Sequence, residues 1–179
     1  MTGSEDREEP ILNEYFENFA GPLGHVILEF NYLEVDLGRM IARLLRQDDV
    51  TAGAFAAHVP FIAKLLLVQT LVDLKVADAD LKLQFSALIK RATIINGKRN
   101  RYVHAEYMPL VDPQDRLTKM LHRRLKDAGK AIDADKGEDL SKLLQPVSER
   151  DLKILASEIH SLSYEVRALA ERYVDFFPS

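Results

Sequence analysis

Apolar residues recur at steps of three and four along most of this chain. Val26, Phe30, Leu33, Leu37, Met40, Ile41 and Leu44 mark one face of a long helix. Before it, "ILNEYFENFA" follows Pro10 and predicts a short first helix, set off from the second by "GPLG". Asp48 and Asp49 mark the exit from the long helix. "VPFIAKLLLVQTLVDLK" is apolar on nearly every side, which predicts a third helix at the centre of a core. Lys64 is the only charge in "FIAKLLLV", and its long stem is expected to carry the amine out to water. Leu81, Phe85, Leu88, Ala92 and Ile95 step by helical intervals and predict a fourth helix. The last begins at "SERD", with Ser148 as N-cap and Asp151 where an acid suits a helix start. Leu152, Leu155, Ile159, Leu162, Val166, Leu169, Tyr173 and Phe176 follow at heptad spacing, the seam of a helix packed lengthwise on another.

Between Pro109 and Pro146 the pattern degrades. "LTKMLHRRL" reads as a strand or as a short helix, and "DAGKAIDADKGED" as a turn-rich excursion. The strand reading places a small β-hairpin between the fourth and fifth helices. The expected fold is therefore all-α, an up-and-down bundle of about five helices. Residues 1–9 form an acidic, flexible start and residues 10–179 a single helical domain.

Composition narrows the function. With 179 residues and 47% hydrophobic composition, the chain can bury a sizeable core. It has no cysteine, which removes disulfides and thiolate metal sites. No apolar run approaches the roughly 20 residues of a membrane span. "MTGSEDREEP" lacks the order of a signal peptide. A cytoplasmic location without a membrane partner is expected. His25, His58, His122 and His160 show no spacing with carboxylates that suggests a metal centre, and no phosphate-binding glycine loop is present. No metal and no cofactor are expected.

The net charge of −4 conceals an asymmetry. Between Lys82 and Lys130 there are 12 Lys/Arg against 4 Asp/Glu, so the rest of the chain is strongly acidic. Either this segment meets a local anionic partner, or it pairs with the protein's own acidic surface. Within it, "NGKRNRYVHAEY" follows the fourth apolar stripe. One further step of four beyond Ile95 lands on Arg99, where an apolar residue was due. A buried guanidinium there needs an anion or a cleft. Asn96, Asn100 and His104 form an adjacent ladder at intervals of four, while Gly97 is a point where the helix could kink or stop.

Arg99, Asn100, three residues and His104 match the R-N-x3-H form of the R-x4–6-H signature, and here the chain resembles the HEPN domain superfamily. "FNYLEVDLGRMIARLL" looks like the long early helix of bacterial members, and the resemblance spans about residues 22 to 177 in outline. It implies a helical bundle with the motif near the end of an inner helix and, in many members, metal-independent endoribonuclease activity. That chemistry suits these residue types. Histidine moves protons near neutral pH, and arginine offers a planar fork to charge growing on phosphate oxygens.

By the resemblance His104 transfers protons, Arg99 stabilises the phosphate and Asn100 positions one of them. Glu34 borders the buried face of the second helix and, with Asn96 and Tyr107, is expected close behind the site. Lys98, Arg101, Arg123 and Arg124 are candidate RNA contacts. Some two-gene HEPN toxins carry H-x-Y, whose tyrosine a nucleotidyltransferase antitoxin modifies; here Tyr107 stands one place late. On an ideal helix Arg99 lies about 140° from His104, so a single copy would not surround a phosphate and a two-fold homodimer is expected. The partners are then RNA, a second copy and an antitoxin or other regulator. Alternatives are a HEPN-like module that binds RNA or protein without cutting, and a purely structural helical dimer.

Overall fold

The computed structural model describes residues 15–114, 117–124 and 144–176. The acidic start, the excursion from 125 to 143 and the Pro10 helix start lie outside them. Five α-helices and a three-stranded antiparallel sheet make up the described chain. The helices are α1 (Gly21–Leu45), α2 (Asp49–His58), α3 (Phe61–Lys75), α4 (Ala79–Val103) and α5 (Glu149–Phe176). The strands β1 (Ala105–Val111), β2 (Leu117–Arg124) and β3 (Gln145–Val147) lie between α4 and α5. The small hairpin expected there is present, with β3 added to it.

The helix count agrees with expectation but two boundaries do not. "GPLG" does not separate two helices: a wide π turn, Phe16–Ala20, runs directly into α1. Pro22 lies in the first turn of α1, where a missing N–H is least costly. At the other end, Arg46 takes a left-handed φ of 57°. Arg46 N–H bonds the Arg43 carbonyl and Gln47 N–H the Ala42 carbonyl, the double bond of a Schellman ending. Asp48 then caps α2, its side chain accepting the Thr51 N–H at 2.9 Å. α2 is the helix that apolar spacing alone did not reveal, because its run of small residues buries only Ala52.

The chain divides into two compact units, one of Met1–Ile27 with Lys98–Ala156, the other of Leu28–Gly97 with Ser157–Ser179. In the second, the α1 stripe is buried as expected from Phe30 to Leu44, and Leu81, Phe85, Leu88, Ala92 and Ile95 of α4 are buried with it. Phe30 and Phe61 rings meet at 4.6 Å between centroids. Gly38 lets α2 approach closely, since a Cβ there would stand 2.7 Å from the Ala52 carbonyl oxygen. α3 is not the central helix its composition suggested: Ile62, Leu66 and Leu74 are exposed while the Phe61, Leu65, Val68 and Val72 side is buried. Lys64 does not reach water either. It is fully buried, its amine 3.2 Å from Glu34 Oε2 and 2.9 Å from the Ala56 carbonyl oxygen.

α5 starts as expected. Ser148 Oγ accepts the Asp151 N–H, and the Asp151 carboxylate accepts both the N–H and the hydroxyl of Ser148. Its heptad row is buried from Leu152 to Val166, and Ser163 and Ala170 join the buried side. That shift is the drift of a straight helix against a seven-residue repeat. The Phe176 side chain lies outside the described residues.

Candidate functional site

The motif sits where α4 passes into β1, in the first unit. Gly97 neither kinks nor ends the helix, which continues to Val103; a Cβ there would meet nothing. Arg99 and Asn100 are half-buried on the last turns, and His104 is exposed at the first residue beyond the helix. Arg99 Nη1 donates to Asn100 Oδ1 at 2.9 Å and stands 3.5 Å from His104 Nε2. For a guanidinium N–H to point at Nε2, that nitrogen must be the imidazole's acceptor and the ring proton must be on Nδ1.

This geometry overturns one expectation. The separation of about 140° assumed a continuing helix. His104 is the first residue beyond α4, and its ring comes within 3.5 Å of the Arg99 guanidinium of the same chain. Asn100 acts on Arg99: its side-chain oxygen holds the guanidinium, and its carbonyl accepts the His104 N–H at 3.4 Å.

The sheet behind the turn follows a two-residue alternation. Tyr107 pairs with His122, Pro109 with Met120, and Met120 with Val147. Met120, His122 and Val147 are buried, which is why "LTKMLHRR" forms a strand rather than a helix. His122 lies 5.2 Å from the Tyr102 ring and 6.2 Å from the Tyr107 ring. The Tyr107 hydroxyl donates to the Tyr102 carbonyl oxygen at 2.9 Å, and burial pushes its phenol well above the ordinary range. Burial likewise raises Tyr102. Tyr107 therefore braces the helix end, and its hydroxyl is already engaged.

Lys98 and Arg101 are exposed on the last turns of α4. Arg123 is cross-strand to Glu106 and donates to its carboxylate through Nε at 3.1 Å and through Nη2. The Arg124 side chain lies outside the described residues. Glu34 and Asn96 belong to the second unit, where Glu34 is the partner of Lys64. A cleft of about 420 Å³ beside the start of α5 and one of about 470 Å³ between α1 and α2 contain no motif residue.

Three further polar groups escaped the sequence. His122 carried its signal in the alternation with Met120. Asp36 is buried, bonded to Ser163 and Arg39 and to Arg167 Nε at 2.7 Å. Its position among Leu33, Leu37 and Met40 marked it as inward-facing. The His160–Glu29 pair, at 2.9 Å, joins residues 131 apart and had no local signal. Among the described residues, no three His, Asp or Glu side chains gather in a way that could hold a metal ion, and no helix is long and apolar enough to cross a membrane. The chain matches no family model, no curated protein and no solved structure.

Proposed function

We propose that this protein is a metal-independent endoribonuclease of HEPN type. The observation that carries the reading is the convergence of Arg99, Asn100 and His104 on one exposed point at the end of α4. A guanidinium beside an imidazole nitrogen is a suitable pair for a phosphodiester. The guanidinium takes charge developing on the non-bridging oxygens, while the imidazole moves the proton. The 2′-hydroxyl loses its proton and attacks the adjacent phosphorus. The bond to the 5′-oxygen breaks, that oxygen takes up a proton, and a 2′,3′-cyclic phosphate remains. Asn100 keeps the arginine turned toward the histidine, and Lys98 and Arg101 supply positive charge on the same stretch of helix.

An RNase of this kind in the cytoplasm needs restraint, so a toxin or defence effector with an antitoxin or other regulatory partner is the setting proposed. The direct test is incubation of single-stranded RNA with the protein in EDTA. Cleavage to cyclic phosphate ends is expected. His104→Ala should lower the rate by about 10²–10⁴-fold with helix content unchanged. Wild-type inactivity over a broad RNA panel, or cutting that survives the substitution, sinks the enzyme. A noncatalytic HEPN-like module that binds RNA or protein is then the reading that remains. The Arg123–Glu106 pair favours it, because it occupies a cation otherwise assigned to RNA.

A further inference from the structure

The motif helix stops for a reason that lies outside the helix. The last four carbonyls of an α-helix have no partner within it, and in α4 these belong to Asn100, Arg101, Tyr102 and Val103. The Asn100 carbonyl takes the His104 N–H at 3.4 Å, a long final bond. The Tyr102 carbonyl takes the Tyr107 hydroxyl at 2.9 Å. That second bond closes a short loop. The chain leaves the helix at His104, enters β1, and from Tyr107 reaches back to the turn it has just left. The Tyr107 ring is half-buried and lies opposite His122 in the strand pairing, and His122 packs in turn against Tyr102. Both tyrosine rings thus lie beside the buried His122 imidazole. Burial keeps the phenol protonated, so the hydroxyl stays a donor across the range where imidazoles titrate.

We infer that Tyr107 is a positioning residue for the Arg99–His104 pair: by capping Tyr102 it sets where α4 ends, and so where His104 turns back. A longer helix would give the Tyr102 carbonyl to the Glu106 N–H and draw the chain beyond His104 out of the turn that now holds its ring beside Arg99. The inference rests on the reading of that pair as the active centre, but it has consequences without RNA. Tyr107→Phe in the full chain removes one oxygen and keeps the ring. The readout is the ring-nitrogen chemical shifts of His104 in alkaline buffer, identified by their loss in His104→Gln.

The wild type should show a single tautomer with the proton on Nδ1. Tyr107→Phe should move both nitrogens to the averaged values of exchanging tautomers, and RNA cleavage should fall about tenfold or more in kcat with KM unchanged. Leu155→Ala, a buried substitution in the same unit, should lower the melting temperature and leave the His104 shifts where they were. Unchanged shifts in Tyr107→Phe, or equal movement in Leu155→Ala, would mean that Tyr107 only packs and would overturn the inference. Moved shifts in Tyr107→Phe alone, together with a wild type that cuts no RNA, would support the positioning role and remove the ribonuclease reading.

Discussion

Lys64 shows at the scale of one residue how a missing donor can retain a buried charge. The Ala56 carbonyl, near the end of α2, would normally receive the N–H of the residue four places on. That residue is Pro60, which has none. The Lys64 amine supplies the donor at 2.9 Å and rests its charge on Glu34. The two partners differ in what they leave behind, since Glu34 keeps 30% of its side chain exposed and Lys64 none. Glu34→Ala strands an amine away from water and should cost roughly 3–5 kcal/mol. Lys64→Met fills the same space and leaves a carboxylate that water can reach, so its cost should be nearer about 1 kcal/mol. Urea unfolding of both variants measures the order, and a Lys64→Met that is the worse of the two contradicts this account.

Among the elements, α5 has the clearest local start. The Ser148 hydroxyl and N–H, both bonded to the Asp151 carboxylate, hold that carboxyl below the ordinary range. A depressed folded value means that the stabilisation is fully present above the unfolded value of about 3.9. It is lost as pH falls from there through the lowered folded value. Asp151→Ala should cost about 0.3–1 kcal/mol at neutral pH. The gap to wild type should close in acid, which thermal melts across the acid range will follow. A constant gap would show that the carboxylate's charge is not what matters. In the heptad row behind this cap, Leu152, Ile159, Leu162 and Val166 are fully buried, as a helix packed lengthwise on others requires.

At the scale of the whole molecule, the case for two copies has changed its basis. It no longer rests on Arg99 and His104 being apart, since they meet in one chain. In-line displacement places the entering 2′-oxygen and the leaving 5′-oxygen on opposite sides of phosphorus. One imidazole then serves one of them, and on the proposed reaction the His104 of a second copy is the source of the other proton transfer. A two-fold dimer at micromolar concentration is the expected result of sedimentation analysis. A stable monomer that still cuts RNA would remove the second copy from the mechanism. The apolar side chains left exposed in the second unit include Leu28 and Tyr32 of α1, Ile62 and Leu66 of α3 and Tyr164 of α5.

Sequence periodicity by itself determined which faces of α1, α4 and α5 turn inward, because a helix has one apolar side and each stripe was long enough to declare it. It also determined the Ser148–Asp151 cap, a contact over three residues, and it brought Arg99 to the end of a buried row. What it could not determine depended on partners distant along the chain. Lys64 was expected in water because nothing local shows Glu34 arriving from another helix and Pro60 withholding a donor. The meeting of Arg99 and His104 was hidden for the same reason. Helical geometry predicts directions only while the helix lasts, and the end of α4 is bound to Tyr107, a residue already in the sheet. Tertiary structure decided both, since burial of an amine and the stopping point of a helix depend on which donors and acceptors the rest of the fold brings within reach.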